Sequence, residues 1–114
     1  MDLYVSNIDT DPGSFTNKMY RNNGNNTFTD VTNSTSSSNG FQYTLANAFL
    51  DIEADGDQDM YLANDRHFTN TMYLNNNNTF TDISGSSNTD IVIDAMNVGV
   101  GDYDNDLDLS LIHI

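Results

Sequence analysis

The chain has 114 residues, 17 of them acidic and 3 basic, for a formal net charge of −14, which argues against phosphate backbones and anionic membrane surfaces as partners and favours cations or basic protein surfaces. It has no cysteine, so disulfide staples and thiolate metal sites are excluded and oxygen is the plentiful ligand atom, a chemistry suited to hard cations. No apolar run reaches the roughly 18 residues of a membrane span, and the first residues lack the basic-then-apolar pattern of a signal peptide.

In chain order, the first expected strand is DLYVSN (2–7). A turn-rich spacer with Asp9, Asp11, Pro12 and Gly13 follows and reads as a plain loop, not a ligand set. KMYRNNGNNTFTDVT (18–32) carries apolar and aromatic runs around an Asn-rich turn, and TNSTSSSNG (32–40) is nearly all turn formers. NAFLDI (47–52), DMYLAN (59–64), TMYLN (71–75) and TFTDIS (79–84) are short β-branched, aromatic or apolar runs bounded by Asn, Asp, Gly and Ser, the signature of strands. In DMYLAN both Met60 with Leu62 and Tyr61 with Ala63 are apolar, as expected of a strand packed on both faces. The glycines of VGVGD (98–102) suit a strand crowded near the central channel of a propeller, where side chains would not fit. No segment shows apolar residues at helical spacing over three turns, so helix is disfavoured. His67 has no Cys, His or Ser partner at catalytic spacing and reads as a surface residue.

The blocks repeat. KMYRNNGNNTFTDVT recurs as TMYLNNNNTFTDIS (71–84), DLYVSN as DMYLAN, and NAFLDIEADGDQD (47–59) as NVGVGDYDNDLD (97–108). The offsets are 53 for Met19 to Met72, 52 for Phe28 to Phe80, 51 for Asp51 to Asp102 and 57 for Asp2 to Asp59. Four strands at such a period predict an all-β fold of β-propeller blades, each of four antiparallel strands. In this reading 1–44 holds strands two to four of one blade and a linker, 45–94 is a complete blade, and 95–114 starts a third. A propeller closes with about 4–8 blades. About two blades form a fragment, not a closed propeller. Tyr20, Phe28, Tyr73 and Phe80 recur in equivalent places and are expected to pack in the core.

The stretch DIEADGDQD (51–59) sets an acidic side chain at every second residue: Asp51, Glu53, Asp55, Asp57 and Asp59. Asp51, Glu53 and Asp55 fall at loop positions 1, 3 and 5, Gly56 at 6 and Asp59 at 9, so alternate residues converge if the loop curls around an ion, and glycine permits the tight turn. Asp57, at position 7, is expected to offer its backbone carbonyl. Such an oxygen-only set suits Ca²⁺. An EF-hand needs a bidentate Glu at position 12 between two helices, but that place is Leu62 and both flanks are strand-like.

DIEADGDQDMYLAN, DLYVSN, MYRNNGNNTFTDVT and VGVGDYDNDLDL together resemble FG-GAP/VCBS repeats, the Ca²⁺-loop β-propeller blades of integrin α-like and many bacterial surface or secreted proteins. The resemblance implies a non-catalytic, Ca²⁺-stabilised module of an extracellular, cell-surface or periplasmic protein that serves adhesion or binds a protein or carbohydrate. Two departures from the family pattern stand out. Glu53 replaces the usual Asp or Asn at position 3, and DYDNDLDL lacks the turn glycine and one further residue after Asp106. Asp102, Asp104 and Asp106 keep the first half of a second loop, while Asp108 falls at position 7. The tail SLIHI (110–114) also leaves the family pattern, which would run on as another DLYVAN-like strand, and reads as a fragment end, native or read-through, with no role for His113. NNT at 25–27 and 77–79 and NST at 33–35 match the glycosylation acceptor pattern, as a chain this rich in Asn and Thr does by composition. A carboxylate cluster neutralised by Ca²⁺ offers no pair of separated pKa values for acid–base catalysis. The alternative is the propeller portion of a polysaccharide-active enzyme whose catalytic residues lie elsewhere.

Overall fold

The computed structural model describes residues 1–8, 16–106 and 109–113. Nine strands and two helical turns follow in the order β1 (Leu3–Val5), β2 (Lys18–Asn22), β3 (Phe28–Asp30), α1 (Thr32–Thr35), β4 (Thr44–Leu50), β5 (Asp59–Asn64), β6 (Thr71–Asn76), β7 (Thr79–Asp82), α2 (Ser84–Ser87), β8 (Val98–Gly101) and β9 (Ser110–His113). They form three antiparallel sheets, β1-β2-β3, β4-β5-β6-β7 and β8-β9, none closed on itself. The architecture is therefore the expected all-β set of blade-like meanders, with one sheet of four strands between partial sheets of three and two. Asp9, Asp11 and Asp108 lie outside the described residues.

Sequence explains the meander locally. Between β6 and β7, Asn77 and Asn78 have φ of 51° and 65°, the paired left-handed conformation that suits the twist of a tight hairpin and that Asn tolerates better than most residues. The equivalent β2–β3 turn is one residue longer and uses Gly24 and Asn26, at φ 80° and 64°. That extra residue accounts for the change of repeat offset from 53 to 52.

Two helical turns were not expected from sequence, and they have the same construction. In α1 the Asp30 Oδ1 accepts from the Thr32 N–H and hydroxyl, and the Thr32 Oγ1 accepts from the Met19 N–H at 3.0 Å. In α2 the Asp82 Oδ1 accepts from the Ser84 N–H and hydroxyl, and the Ser84 Oγ accepts from the Met72 N–H at 2.9 Å. Each Asp thus satisfies an amide that opens the turn, and each hydroxyl fastens that turn to the strand two elements back.

The two apolar faces of β5 go into two different cores. Met60 and Leu62 pack with Tyr73 and Phe80 of their own sheet and with Tyr4 and Met19 of the first sheet. Tyr61 packs with Leu50 and Met72, against which Val98 and Leu111 of the third sheet lie. All six residues of β5 are buried, as its two-sided apolar pattern predicts. Tyr73 and Phe80 meet edge to face, with centroids 6.0 Å apart.

Three expectations are corrected. Tyr20 and Phe28 occupy the places of Tyr73 and Phe80 one repeat earlier, yet Tyr20 is only half-buried and Phe28 is 50% exposed. The difference is cover: the first sheet lies over Tyr73 and Phe80, and no described sheet lies over Tyr20 and Phe28. Among the described residues the glycines of β8 are not crowded, since a Cβ on Gly99 meets nothing nearer than the Ile112 carbonyl oxygen at 3.9 Å and one on Gly101 meets nothing within 4 Å, and the three sheets close no central channel. The tail does continue the fold, because Ser110–His113 is β9 and pairs with β8 from Gly101↔Ser110 to Val98↔His113.

A buried polar chain links the first two sheets. Beyond β1, the Asn7 N–H donates to Asn17 Oδ1 at 2.7 Å, and Asn7 Nδ2 donates to the Thr16 carbonyl. At the end of β5, the Asn64 N–H donates to Asn70 Oδ1 at 2.8 Å, and Asn64 Nδ2 donates to the Thr69 carbonyl. Asn17 Nδ2 donates to Thr44 Oγ1, which donates in turn to Asn64 Oδ1 at 2.7 Å. Such groups stay buried because nearly all find a partner, Asn70 Nδ2 being the exception. Among the described residues no helix is long and apolar enough to cross a membrane.

Candidate metal centre

The loop 51–59 joins β4 to β5 and is shaped by its own carboxylates. Asp51 accepts from the Asp55 N–H at 3.1 Å through Oδ1 and from the Gly56 N–H at 3.0 Å through Oδ2. Asp55 Oδ1 accepts from the Asp57 N–H at 2.9 Å. Curling this tightly requires two left-handed residues, Ala54 at φ 54° and Gly56 at φ 92°. Gly56 is the residue that sequence marks for the task. Ala54 carries no such mark.

Asp59, the last carboxylate of the set and the first residue of β5, is fully buried. Its Oδ2 accepts from the Ile52 N–H and its Oδ1 from the Asn75 N–H, both at 2.8 Å. It therefore joins the start of the loop to β6 across the sheet. Asp57 turns its side chain the other way, with Oδ2 accepting from the Asn77 N–H at 3.2 Å in the β6–β7 turn. Asn75 Nδ2 donates to the Gln58 carbonyl at 3.0 Å. Asn75 and Asn77 thus support the loop from outside it, a role that spacing along the chain does not reveal.

The Glu53 carboxyl is held above its ordinary value, first by desolvation, then by the charges of Asp55 and Asp59, by a hydrogen bond with Asp55 and by the charge of Asp51. The groups acting on Glu53 are those at positions 1, 5 and 9 of the loop.

The shorter second loop repeats the first half of this construction. Asp106 N–H donates to Asp102 Oδ1 at 3.2 Å, as Asp55 does to Asp51, and Asn105 takes the left-handed place of Ala54 at φ 58°. Among the described residues, Asp102, Asp104 and Asp106 form a group whose carboxylate oxygens lie within 4.8 Å of one another. Oxygens on opposite sides of one Ca²⁺ are separated by roughly twice the 2.3–2.6 Å bond, or about 5 Å. The three acids therefore have a spacing that fits Ca²⁺ even though the glycine of the first loop is missing, and all three are exposed. The structure does not bring the first loop's acids together in this way: the carboxylates of Asp51, Asp55 and Asp59 accept backbone amides, and that of Asp57 is engaged by the neighbouring turn.

A four-stranded antiparallel unit with an acidic loop between its first two strands, flanked by partial units of three and two strands, is the arrangement of a propeller-type repeat. The sequence profile of the FG-GAP-like repeat matches residues 51–112, more than half of the 114 residues. The chain belongs to the FG-GAP-like repeat family. No match was found among curated proteins.

Proposed function

We propose that this chain is a non-catalytic, Ca²⁺-binding repeat module of a secreted or cell-surface protein, serving adhesion or the binding of a protein or carbohydrate. The observation that carries the reading is the group Asp102, Asp104 and Asp106, whose carboxylate oxygens lie within 4.8 Å of one another; in the first loop the Glu53 carboxyl is raised first by desolvation and then by the negative charges of Asp55, Asp59 and Asp51. A divalent cation converts that repulsion into attraction, and an oxygen-only set favours Ca²⁺ over Mg²⁺, which gives up its water reluctantly. Asp51, Glu53, Asp55 and Asp59 hold the ion in the first loop, and Asp102, Asp104 and Asp106 in the second. When bound, the ion neutralises the loop and fixes the end of the strand beside it.

Extracellular modules of this kind bind Ca²⁺ at about 10⁻⁴–10⁻³ M. A site that weak is filled only where Ca²⁺ is millimolar, which supports a place outside the cell. Titration calorimetry tests the reading: Ca²⁺ binds in that range, Mg²⁺ more weakly, and Asp55→Ala removes the first-loop site. Equal affinity for the two ions refutes it.

A further inference from the structure

The three matches to the Asn-x-Ser/Thr acceptor pattern fall on three different local structures. Composition explains why the pattern recurs, but not why the fold leaves only one match unencumbered. Glycan transfer needs an Asn side-chain nitrogen open to solvent and a hydroxyl two residues on that an enzyme can reach. In the Asn33 match the hydroxyl is spent: Thr35 is buried in α1, and its Oγ1 donates to the Val31 carbonyl at 2.9 Å and lies 2.8 Å from the Ser37 hydroxyl. In the Asn77 match Thr79 opens β7 and pairs with Asn76, and the Asn77 N–H is held by Asp57 at 3.2 Å, so reshaping this turn disturbs both the ladder and the acidic loop. The Asn25 match has neither restraint. It lies in the β2–β3 turn, where residues 21–30 are all exposed and Thr27 precedes the strand. Asn25 Oδ1 accepts from both the N–H and the hydroxyl of Thr27, and Asn23 Nδ2 donates to that hydroxyl at 2.9 Å, so the bonds of these side chains stay within the exposed turn. The oxygen of Asn25 is thereby turned to the backbone, and its Nδ2 has no partner among the described residues. Exchanging the two atoms would set Nδ2 against the Thr27 N–H, donor to donor.

We propose that Asn25 is a site of N-linked glycosylation, its sugar coming from a lipid-linked pyrophosphate donor. Nδ2 attacks the anomeric C1 of that donor. The N–C1 bond forms as the C1–O bond to pyrophosphate breaks, the bonding pair leaves with the pyrophosphate, and Nδ2 gives up one proton to a base of the transferase. The proposal goes beyond the reading of the chain as an exported module and relies on it only for the donor to be met in the cell. The place also has a use for a glycan. β3 is the outer strand of the first sheet, and Phe28, next to Thr27, is 50% exposed. A hydrated glycan on this turn covers an open strand edge and an apolar ring, both of which favour association in solution.

The test incubates the folded chain with a single-subunit oligosaccharyltransferase and a lipid-linked oligosaccharide, then locates the sugar by peptide mass spectrometry. Asn25 is expected to carry it, with initial rates about tenfold or more above those at Asn33, whose neighbouring hydroxyl is reached only when α1 opens, and above those at Asn77. Asn25→Gln and Thr27→Val each remove the product at this turn, and Thr27→Ser keeps it. Circular dichroism of the variants, all altered at exposed positions, confirms that the fold is retained. Equal rates at the three sites, sugar mainly at Asn33 or Asn77, unchanged transfer in Thr27→Val, or no transfer to Asn25 overturns the proposal. Calorimetry with Ca²⁺ on the same sample separates the two readings: transfer to Asn25 without Ca²⁺ binding refutes the metal module alone, and Ca²⁺ binding without transfer refutes the glycan site alone.

Discussion

Asp59 is expected to matter for stability even when no Ca²⁺ is present. Its two oxygens accept from the Ile52 and Asn75 amides at 2.8 Å each, and the residue is fully buried. Asp59→Ala leaves both amides without their acceptor. A buried donor stranded in this way costs about 1–3 kcal/mol. The Asn75 amide is in the interior and takes the upper part of that range, whereas Ile52, 41% exposed, sits where water can replace the lost oxygen. Loss of the Asp59 charge also relieves Glu53, a small offset. The sum is a destabilisation of about 2–4 kcal/mol. Asp59→Asn keeps one acceptor and should cost roughly half as much. The assay is urea unfolding in excess EGTA, with Asp55→Ala as the comparison: Asp55 is exposed and accepts one amide within its own loop, so its loss should cost under about 1 kcal/mol. If Asp59→Ala unfolds at the wild-type urea midpoint in EGTA, Asp59 is a metal ligand only and the structural role assigned to it is wrong.

Two further outcomes follow from the same loop. Because the folded loop holds the Glu53 carboxyl above its ordinary value, its charged form disfavours folding, and in EGTA this part of the stability is recovered as pH falls through the raised folded pKa. Asp30 has the opposite sign, since Thr32 hydrogen bonds and then Lys18 lower its pKa, and its contribution is lost as pH falls through that lowered value. Glu53→Gln should therefore raise the melting temperature in EGTA at pH 7, flatten the gain on acidification and weaken Ca²⁺ binding; a lower melting temperature in EGTA refutes the electrostatic account. Gly56→Ala places a Cβ where nothing lies within 4 Å but at φ 92°, so any loss is backbone strain of about 1–2 kcal/mol. Gly101→Ala is the control, being free of both strain and obstruction, and equal melting of the two variants argues against the strain.

Much of the fold is legible in the sequence because the chain states it more than once. Paired blocks located the strands, and the apolar residues on both faces of DMYLAN foretold a strand between two cores. Burial of the repeated aromatics could not be read this way, since Phe28 and Phe80 have the same neighbours in sequence but different sheets over them. Four-residue helical turns are too short to show a period; their trace is the recurrent TDVT and TDIS, in which an Asp accepts from the amide and hydroxyl two residues on, at the first residue of the turn. Asn17 and Asn70 do carry a sequence signal, since each stands directly before the repeated KMY or TMY block. In the acidic loop, alternation named the carboxylates and Gly56 its turn. The direction in which Asp57 points, and the support from Asn75 and Asn77, depend on a hairpin that folds back about 20 residues later.

The double-sided packing of β5 has a consequence for how its partners find their register. Where one face of a strand meets water, a one-residue slip exposes the whole apolar set and is strongly penalised. In β5 a slip exchanges Met60 and Leu62 for Tyr61 and Ala63, apolar for apolar, so hydrophobicity hardly distinguishes the two alignments. The discrimination falls to the polar residues at its ends. Asp59 reaches the Ile52 and Asn75 amides, and Asn64 meets Asn70, Thr69 and Thr44, in one alignment only. A slip would strand these buried groups at both ends together. Removing both, as in a double Asp59→Ala, Asn64→Ala variant, leaves a strand with an apolar interior and little to hold its frame.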